Sequence, residues 1–368
     1  MAEPLKNMYN HEFLHNFGST IQRAYSFFNT EEFVEKVVDG DWDHLELKAR
    51  IRKISMTLGD CLPPEYEAAI EILRVVNESC SGFPYLILPD FVEVFGQGKE
   101  HWELSMQALE AFTQHSSAEF AVRAFIIRDQ DRMMKQMLKW SASDNEHVRR
   151  LASEGSRPRL PWGQALTMFK KDPSPVFPVL EQLKSDPSLY VRKSVANHLN
   201  DIAKDHPELV VDIAKRWHGS HPDTDWIVRH ACRTLIRSAN PEVLALFGYA
   251  DNTKAGASLV QEARISIAPE SIHIGESTEL QYDLVIKEGA SGRIRIEYGI
   301  DFVKSGGKLS RKKFLLSDKT VSGGSRLQGT RTHRWADLTT RRHYPGTHNI
   351  ILLVNGQEAA RTEILLNN

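Results

Sequence analysis

Cysteine is scarce: the 368 residues hold three, Cys61, Cys80 and Cys232, and none forms a CxxC pair. That argues against a disulfide-stapled secreted scaffold and against a zinc module, and it suits a reducing cytoplasm. Long apolar runs are lacking too. None approaches the ~20 residues of a membrane span. The opening MAEPLKNMYNHEFLHNFG lacks the basic and then apolar order of a signal peptide. A bacterial cytoplasmic protein is expected. Also missing are GxSxG, HExxH and a Walker A loop, and GSRPRLPWG does not hold a phosphate loop. The histidines are scattered, and His218 and His221 have no third ligand within sequence reach. No metal and no cofactor are expected.

What is present points to a folded chain of at least two domains, with 41% hydrophobic residues to build cores. The net charge of −2 hides an asymmetry. Residues 1–114 carry 9 Lys+Arg against 19 Asp+Glu, whereas residues 304–342 carry 11 Lys+Arg and only Asp318 and Asp337. A basic block on an otherwise acidic chain suggests a local contact with a polyanion.

Residues 5 to about 250 read as short amphipathic helices separated by turns, with Pro207 and Pro222 at helix starts, where a missing N–H costs nothing. The pair Val-Arg recurs at Val122-Arg123, Val148-Arg149, Val191-Arg192 and Val228-Arg229. The fullest copy, DPSLYVRKSVANHLNDIAK, puts Val191, Val195, Leu199 and Ile202 on one side of a helix and resembles a HEAT repeat. Such repeats bury their apolar faces by stacking, which makes a solenoid. Beyond a linker over residues 251–262, ADNTKAGASLVQE with its flanking Ala, the pattern changes to period two. Seven strand candidates follow at regular spacing, and Asn355-Gly356 supplies a hairpin turn. The expected architecture is multidomain, α then β. A right-handed α-solenoid of HEAT-like repeats over residues 1–250 precedes an Ig-like β-sandwich over residues 263–368.

The most informative stretch is SDNEHVRRLASEGSRPRLPWG, residues 143–163. Ser143 with Glu146 reads as a capping box, and Gly155, Pro158 and Pro161 end the helix. Glu154 then lies in the last turn, against the negative end of the helix dipole, at a cost of roughly 0.3–1 kcal/mol. A broken local rule of this kind is worth a functional reading. Arg157, Arg159 and Trp162 follow in the proline loop. Aligning repeats on Val148 and Val191 sets Glu154 opposite Asn197, one turn from Asp201, so stacked helices would present Glu154 and Asp201 to one groove. By the same register Glu119 points elsewhere and reads as a carboxylate at a helix start.

SAEFAVRAF, DNEHVRRLASEGSRPRLPWG and DPSLYVRKSVANHLNDIAKDHP together resemble the HEAT-like-repeat alkylpurine DNA glycosylases. The appended sandwich points to the AlkC branch. The resemblance covers nearly the whole chain, and RRLASEGSRPRLPWG is its most specific part. It implies a base-excision repair enzyme that hydrolyses the N-glycosidic bond of cationic N3-alkylated bases, 3-methyladenine and 3-methylcytosine, without deep base flipping. By motif it assigns Glu119, Glu154, Trp162 and Asp201 to the active site. The partner would be double-stranded alkylated DNA and the chain a monomer. Arg149, Arg150, Arg157 and Arg159 could hold phosphates, as could Lys308, Arg311, Lys312, Lys313, Arg331 and Arg334 of the basic block. The alternative is a non-catalytic HEAT-repeat scaffold that docks proteins or DNA structures.

Overall fold

The computed structural model describes residues 3–250, 259–339 and 341–368. The chain falls into two compact units, Met1–Ala231 and Cys232–Asn368.

The described residues of the first unit form helices and no strand. Side chains of Asn10, Asn29, Asp129 and Asn145 accept backbone N–H groups at helix starts, which satisfies donors the helix itself leaves unpaired. Pro207–Trp217 and Pro222–Ala231 begin on their prolines, as read. The expected Ser143–Glu146 capping box is replaced by a different cap. The helix Glu146–Gly155 starts two residues later than a Ser143 cap requires, and Asn145 Oδ1 accepts the His147 N–H at 2.9 Å. Glu146 is thus the first helical residue and reaches the hydroxyl of Ser188 instead of back to the cap.

The Val-Arg recurrence has a physical cause. Val148 and Val191 are fully buried in the core. The arginine after each clasps the turn that precedes its own helix and reaches an aspartate about one repeat further on. Arg149 Nη1 donates to the carbonyls of Ser143 and Asp144 at 3.0 and 2.9 Å, while Nε and Nη2 fork onto Asp186 at 2.6 and 3.2 Å. Arg192 repeats this one step along. Its Nη1 donates to the carbonyls of Asp186 and Pro187 at 2.9 and 2.8 Å and lies 3.2 Å from Asp223. Asp186 serves both ways, because it also accepts the Ser188 N–H at 2.8 Å, just before the helix Leu189–Ile202.

In the second unit two short helices, Arg233–Arg237 and Pro241–Leu246, cluster with the strands rather than with the helical array. The strands are β1 (Val260–Ala268), β2 (Ser271–His273), β3 (Ser277–Ile286), β4 (Gly292–Val303), β5 (Leu309–Val321), β6 (Arg326–Arg334), β7 (Gly346–Val354) and β8 (Gln357–Asn367). The first of the seven expected segments is split in two, and β1 starts inside the stretch read as linker. Residues 251–258 of that stretch lie outside the described residues. One sheet has the order β1-β3-β6 and the other β2-β8-β7-β4-β5; every named pairing is antiparallel except that of β2 with β8. Asn355 and Gly356, at φ 47° and 81°, make the tight turn from β7 to β8, the left-handed pair a two-residue hairpin favours.

Alternating residues fill the inter-sheet core. Around the fully buried Trp335 stand three histidine rings, His333, His343 and His348, with centroids 5.2, 5.8 and 5.1 Å away. Burial pulls all three below the ordinary histidine range. His333, with Arg341 adding to the effect, falls to about 4. These rings are therefore neutral at pH 7.

Candidate active site

Glu154 and Asp201 come together on one guanidinium. Glu154 ends the helix Glu146–Gly155 and Asp201 sits near the end of Leu189–Ile202; both are buried. Arg157 Nη1 donates to Glu154 Oε1 at 2.6 Å, and its Nε and Nη2 lie 2.9 and 2.8 Å from Asp201 Oδ2. Burial opposes the charge on Arg157, but Glu154 and Asp201 outweigh it and hold the guanidinium above its usual range. The second oxygen of Glu154 accepts the Ser194 hydroxyl at 2.6 Å, and Lys204 caps the other oxygen of Asp201 at 2.9 Å. The cost of Glu154 at a negative helix end is thus offset by a cation one turn on and a hydroxyl from the neighbouring repeat. Arg157, read from sequence as a phosphate ligand, is instead a buried bridge.

Glu119 joins the same network, which the register argument did not foresee. That register does not apply to it, because the helix Val122–Arg128 begins three residues later and Glu119 lies in the preceding turn. Its carboxylate accepts the Ser117 hydroxyl at 2.8 Å and pairs with Arg150, whose other terminal nitrogen is 3.6 Å from Glu154. The Arg150 guanidinium also sits 4.9 Å from the centre of the Tyr190 ring. In front of Glu119 and Arg150 opens a cleft of about 450 Å³, with Phe83, Phe120, His147 and Tyr190 on its walls.

Trp162 is 61% exposed, so it is no core residue. Its backbone is left-handed, φ 62°, a conformation that a bulky side chain adopts only when its surroundings hold it there. Lys48 Nζ donates to the Trp162 carbonyl at 3.2 Å, and the indole meets Phe83 edge-on with centroids 6.3 Å apart. The deeper clamp on this loop is Arg123, whose role sequence reasoning missed. It is only 1% exposed, and its guanidinium donates to the carbonyls of Gln164, Gly155 and Arg157 at 2.6, 2.9 and 2.9 Å. Burial, then Arg157, pulls it down to about 10. The signal was the Val-Arg pair itself, since Arg123, unlike Arg149 and Arg192, grips the end of the helix Glu146–Gly155 and the loop that follows it. His198 was also missed. Its Nδ1 donates to the Ser153 carbonyl at 3.0 Å, and burial, then Arg157, lowers it to about 3, so it stays neutral.

The remaining arginines of this stretch are committed to carboxylates. Arg149 belongs to the repeat clasp, and Arg159 forks onto Asp205 at 3.2 and 2.6 Å.

Against this geometry the similarities are specific. Residues 97–235 match the family model of the DNA alkylation repair enzymes, and residues 261–368 match that of the YhaZ C-terminal Ig-like domain. The chain is 44% identical, over 96% of both sequences, to the uncharacterized protein YhaZ of Bacillus subtilis. It is 39% identical to the Pseudomonas fluorescens alkylpurine DNA glycosylase AlkC, solved bound to DNA containing an abasic-site analog. That structure superposes over 100% of both chains with a TM-score of 0.92. The chain belongs to the AlkC family of alkylpurine DNA glycosylases. Like the relative of known structure, it joins a helical unit to an Ig-like one.

In the Ig-like domain of this AlkC-family chain the six cations read as phosphate ligands differ in their commitments. Arg311 forks onto Asp301 at 2.7 and 2.9 Å; Lys313 Nζ donates to the Arg237 carbonyl at 3.2 Å, and the Arg237 guanidinium donates to the Lys313 carbonyl at 2.7 Å. Lys312 lies over the Phe314 ring, 5.7 Å from its centre. Lys308, Arg331 and Arg334 are exposed, and Arg331 reaches Tyr298. All six are on or beside β5 and β6, which are edge strands of the two sheets.

Proposed function

We propose that this protein is a monofunctional DNA glycosylase that hydrolyses the N-glycosidic bond of cationic N3-alkylated bases, 3-methyladenine and 3-methylcytosine, in double-stranded DNA. The observation that carries the reading is the pair Glu154 and Asp201, gathered on Arg157 and joined through Arg150 to Glu119 in an open cleft whose Phe83 meets the exposed Trp162. A base alkylated at N3 already bears the positive charge that makes it leave, so the site needs no acid to protonate it. Departure leaves an oxocarbenium-like sugar. Fixed carboxylates stabilise that developing cation and orient the attacking water, the logic of glycoside hydrolysis applied to a nucleoside. The Trp162 face adds a cation–π contact of roughly 0.5–2 kcal/mol. Glu119 faces the cleft and serves the same cation from the other side. Because the leaving base needs no proton from the protein, no deep pocket has to enclose it, which fits a mechanism without deep flipping. The cations on β5 and β6 supply phosphate contacts. The abasic DNA held by the Pseudomonas relative is what such a reaction would leave behind.

The test is release of free 3-methyladenine and 3-methylcytosine from methylated duplex by the purified chain. Glu154→Gln and Asp201→Asn should each slow single-turnover release by roughly 10²–10³-fold with binding to undamaged duplex nearly intact. No release by the intact chain, with tight duplex binding preserved, would favour a non-catalytic DNA-binding scaffold.

A further inference from the structure

The contacts of Arg150 are those a cationic base would seek: the face of an aromatic ring, Tyr190, and two carboxylates, Glu119 and Glu154. Three acids, Glu119, Glu154 and Asp201, are matched by three bases, Arg150, Arg157 and Lys204. The buried Arg123 guanidinium adds a fourth positive charge that interacts with all three acids, so a further positive charge gains little attraction unless one of these cations withdraws.

The three cations are not equally free to do so. Arg157 is 7% exposed, holds both Glu154 and Asp201, and has its own carbonyl gripped by Arg123. Lys204 touches Asp201 from the solvent side, away from the residues that line the cleft. Arg150 lines the cleft itself, and no carboxylate receives a two-pronged fork from it. A long arginine released from Glu119 can turn to a phosphate, which accepts a guanidinium at least as well as a carboxylate does.

We propose that Arg150 is a stand-in cation. It occupies the place of the lesion's positive charge until DNA arrives, is displaced by that charge onto the phosphate backbone, and so holds the preference for cationic over neutral bases below what the carboxylates alone would give. A neutral base cannot balance the two carboxylates and leaves Arg150 where it is. The inference rests on the glycosylase reading and deepens it.

The experiment compares two duplexes. One carries an N3-methylated purine on a 2′-fluoro sugar, which slows bond cleavage; the other carries its neutral isostere with carbon at the ring 3-position. The ratio of their dissociation constants is measured for the intact chain and for Arg150→Met and Arg150→Lys. Loss of the competing cation leaves Glu119 without its paired guanidinium. Arg150→Met should therefore favour the cationic duplex over the neutral one by roughly tenfold more than the intact chain does. Arg150→Lys should restore most of the original ratio. If Arg150 only binds phosphate, Arg150→Met weakens both duplexes equally and the ratio stays put, which overturns the proposal, as would a fall in the ratio. Should Arg150→Met fail to fold, Arg150→Gln removes the same charge with a polar side chain, and an unchanged ratio there overturns the proposal equally. Excision of 3-methyladenine by the intact chain is scored separately, so an inactive protein refutes the glycosylase reading whatever the ratio does.

Discussion

Trp162 combines strain with exposure. Its left-handed backbone costs about 1–3 kcal/mol, and in return the indole stands 61% exposed above the proline loop. Ala and Phe in its place would carry the same backbone strain, so a comparison of the two isolates the ring. Trp162→Ala should slow base release roughly tenfold and more than Trp162→Phe, with a melting temperature within a few degrees of the intact chain. Equal loss of activity and stability in Trp162→Ala would mark it as a packing residue. At this scale the sequence was partly readable. The repeat register predicts that Glu154 and Asp201 share a groove because both lie on regular helices. Glu119 escapes that argument because it sits in a turn, where helical spacing has no meaning. Arg157 and Arg149 were indistinguishable from phosphate ligands, since a sequence says that an arginine is charged but not which carboxylate of a later repeat it meets.

Single elements carry two further expectations. Arg149 and Arg192 each tie a helix start to an aspartate about one repeat on. Arg149→Met and Arg192→Met should each cost ~1–3 kcal/mol of unfolding free energy in urea, because half-buried turn carbonyls and, for Arg149, the buried Asp186 carboxylate lose their donor. The salt dependence of DNA binding should be unaffected. A slope lower by about one unit with an unchanged urea midpoint would return Arg149 to the phosphate ligands. In the sandwich, His333, His343 and His348 fold as neutral rings with lowered pKa values, His333 at about 4. The unfolded chain takes up these protons near pH 6.5. Stability is therefore fully present above that value and is lost as pH falls from there toward the folded pKa values. The thermal midpoint at pH 5 should lie below that at pH 7.5, and replacing the three histidines with glutamine should shrink the difference. An intact chain with equal midpoints at the two pH values contradicts this. Strand positions were legible from alternation and turns, but β2 was not, because three residues of an edge strand leave no period to read.

For the molecule as a whole the decisive quantity is the count of phosphate contacts. Arg311 is spent on Asp301, whereas Lys308, Lys312 and Arg334 are exposed. Replacing those three together with alanine should flatten the plot of log affinity against log salt by up to about three units of contact, at ~0.9 in slope for each. Arg311→Ala should leave the slope alone and lower stability instead. An unchanged slope in the triple variant would remove the sandwich from the DNA-binding surface. The two-part organisation was visible in the change of period from helix to strand. The contact boundary at Ala231 was not, because the two short helices that follow it carry the same kind of amphipathic sequence as those before.

The grip of Arg123 on three loop carbonyls has a consequence for how such a protein could arise. In a stack of similar units copies inherit the same arginine, and at Arg149 and Arg192 it holds one unit to the next. Where the unit boundary lengthens into a proline-stiffened loop, that inherited side chain finds new carbonyls and fixes the loop at no further cost in sequence. Catalysis then requires only a few changes on a surface already rigid. A repeat array is in this sense a supply of spare fasteners, and a reactive centre is founded where one of them closes on something other than its neighbour.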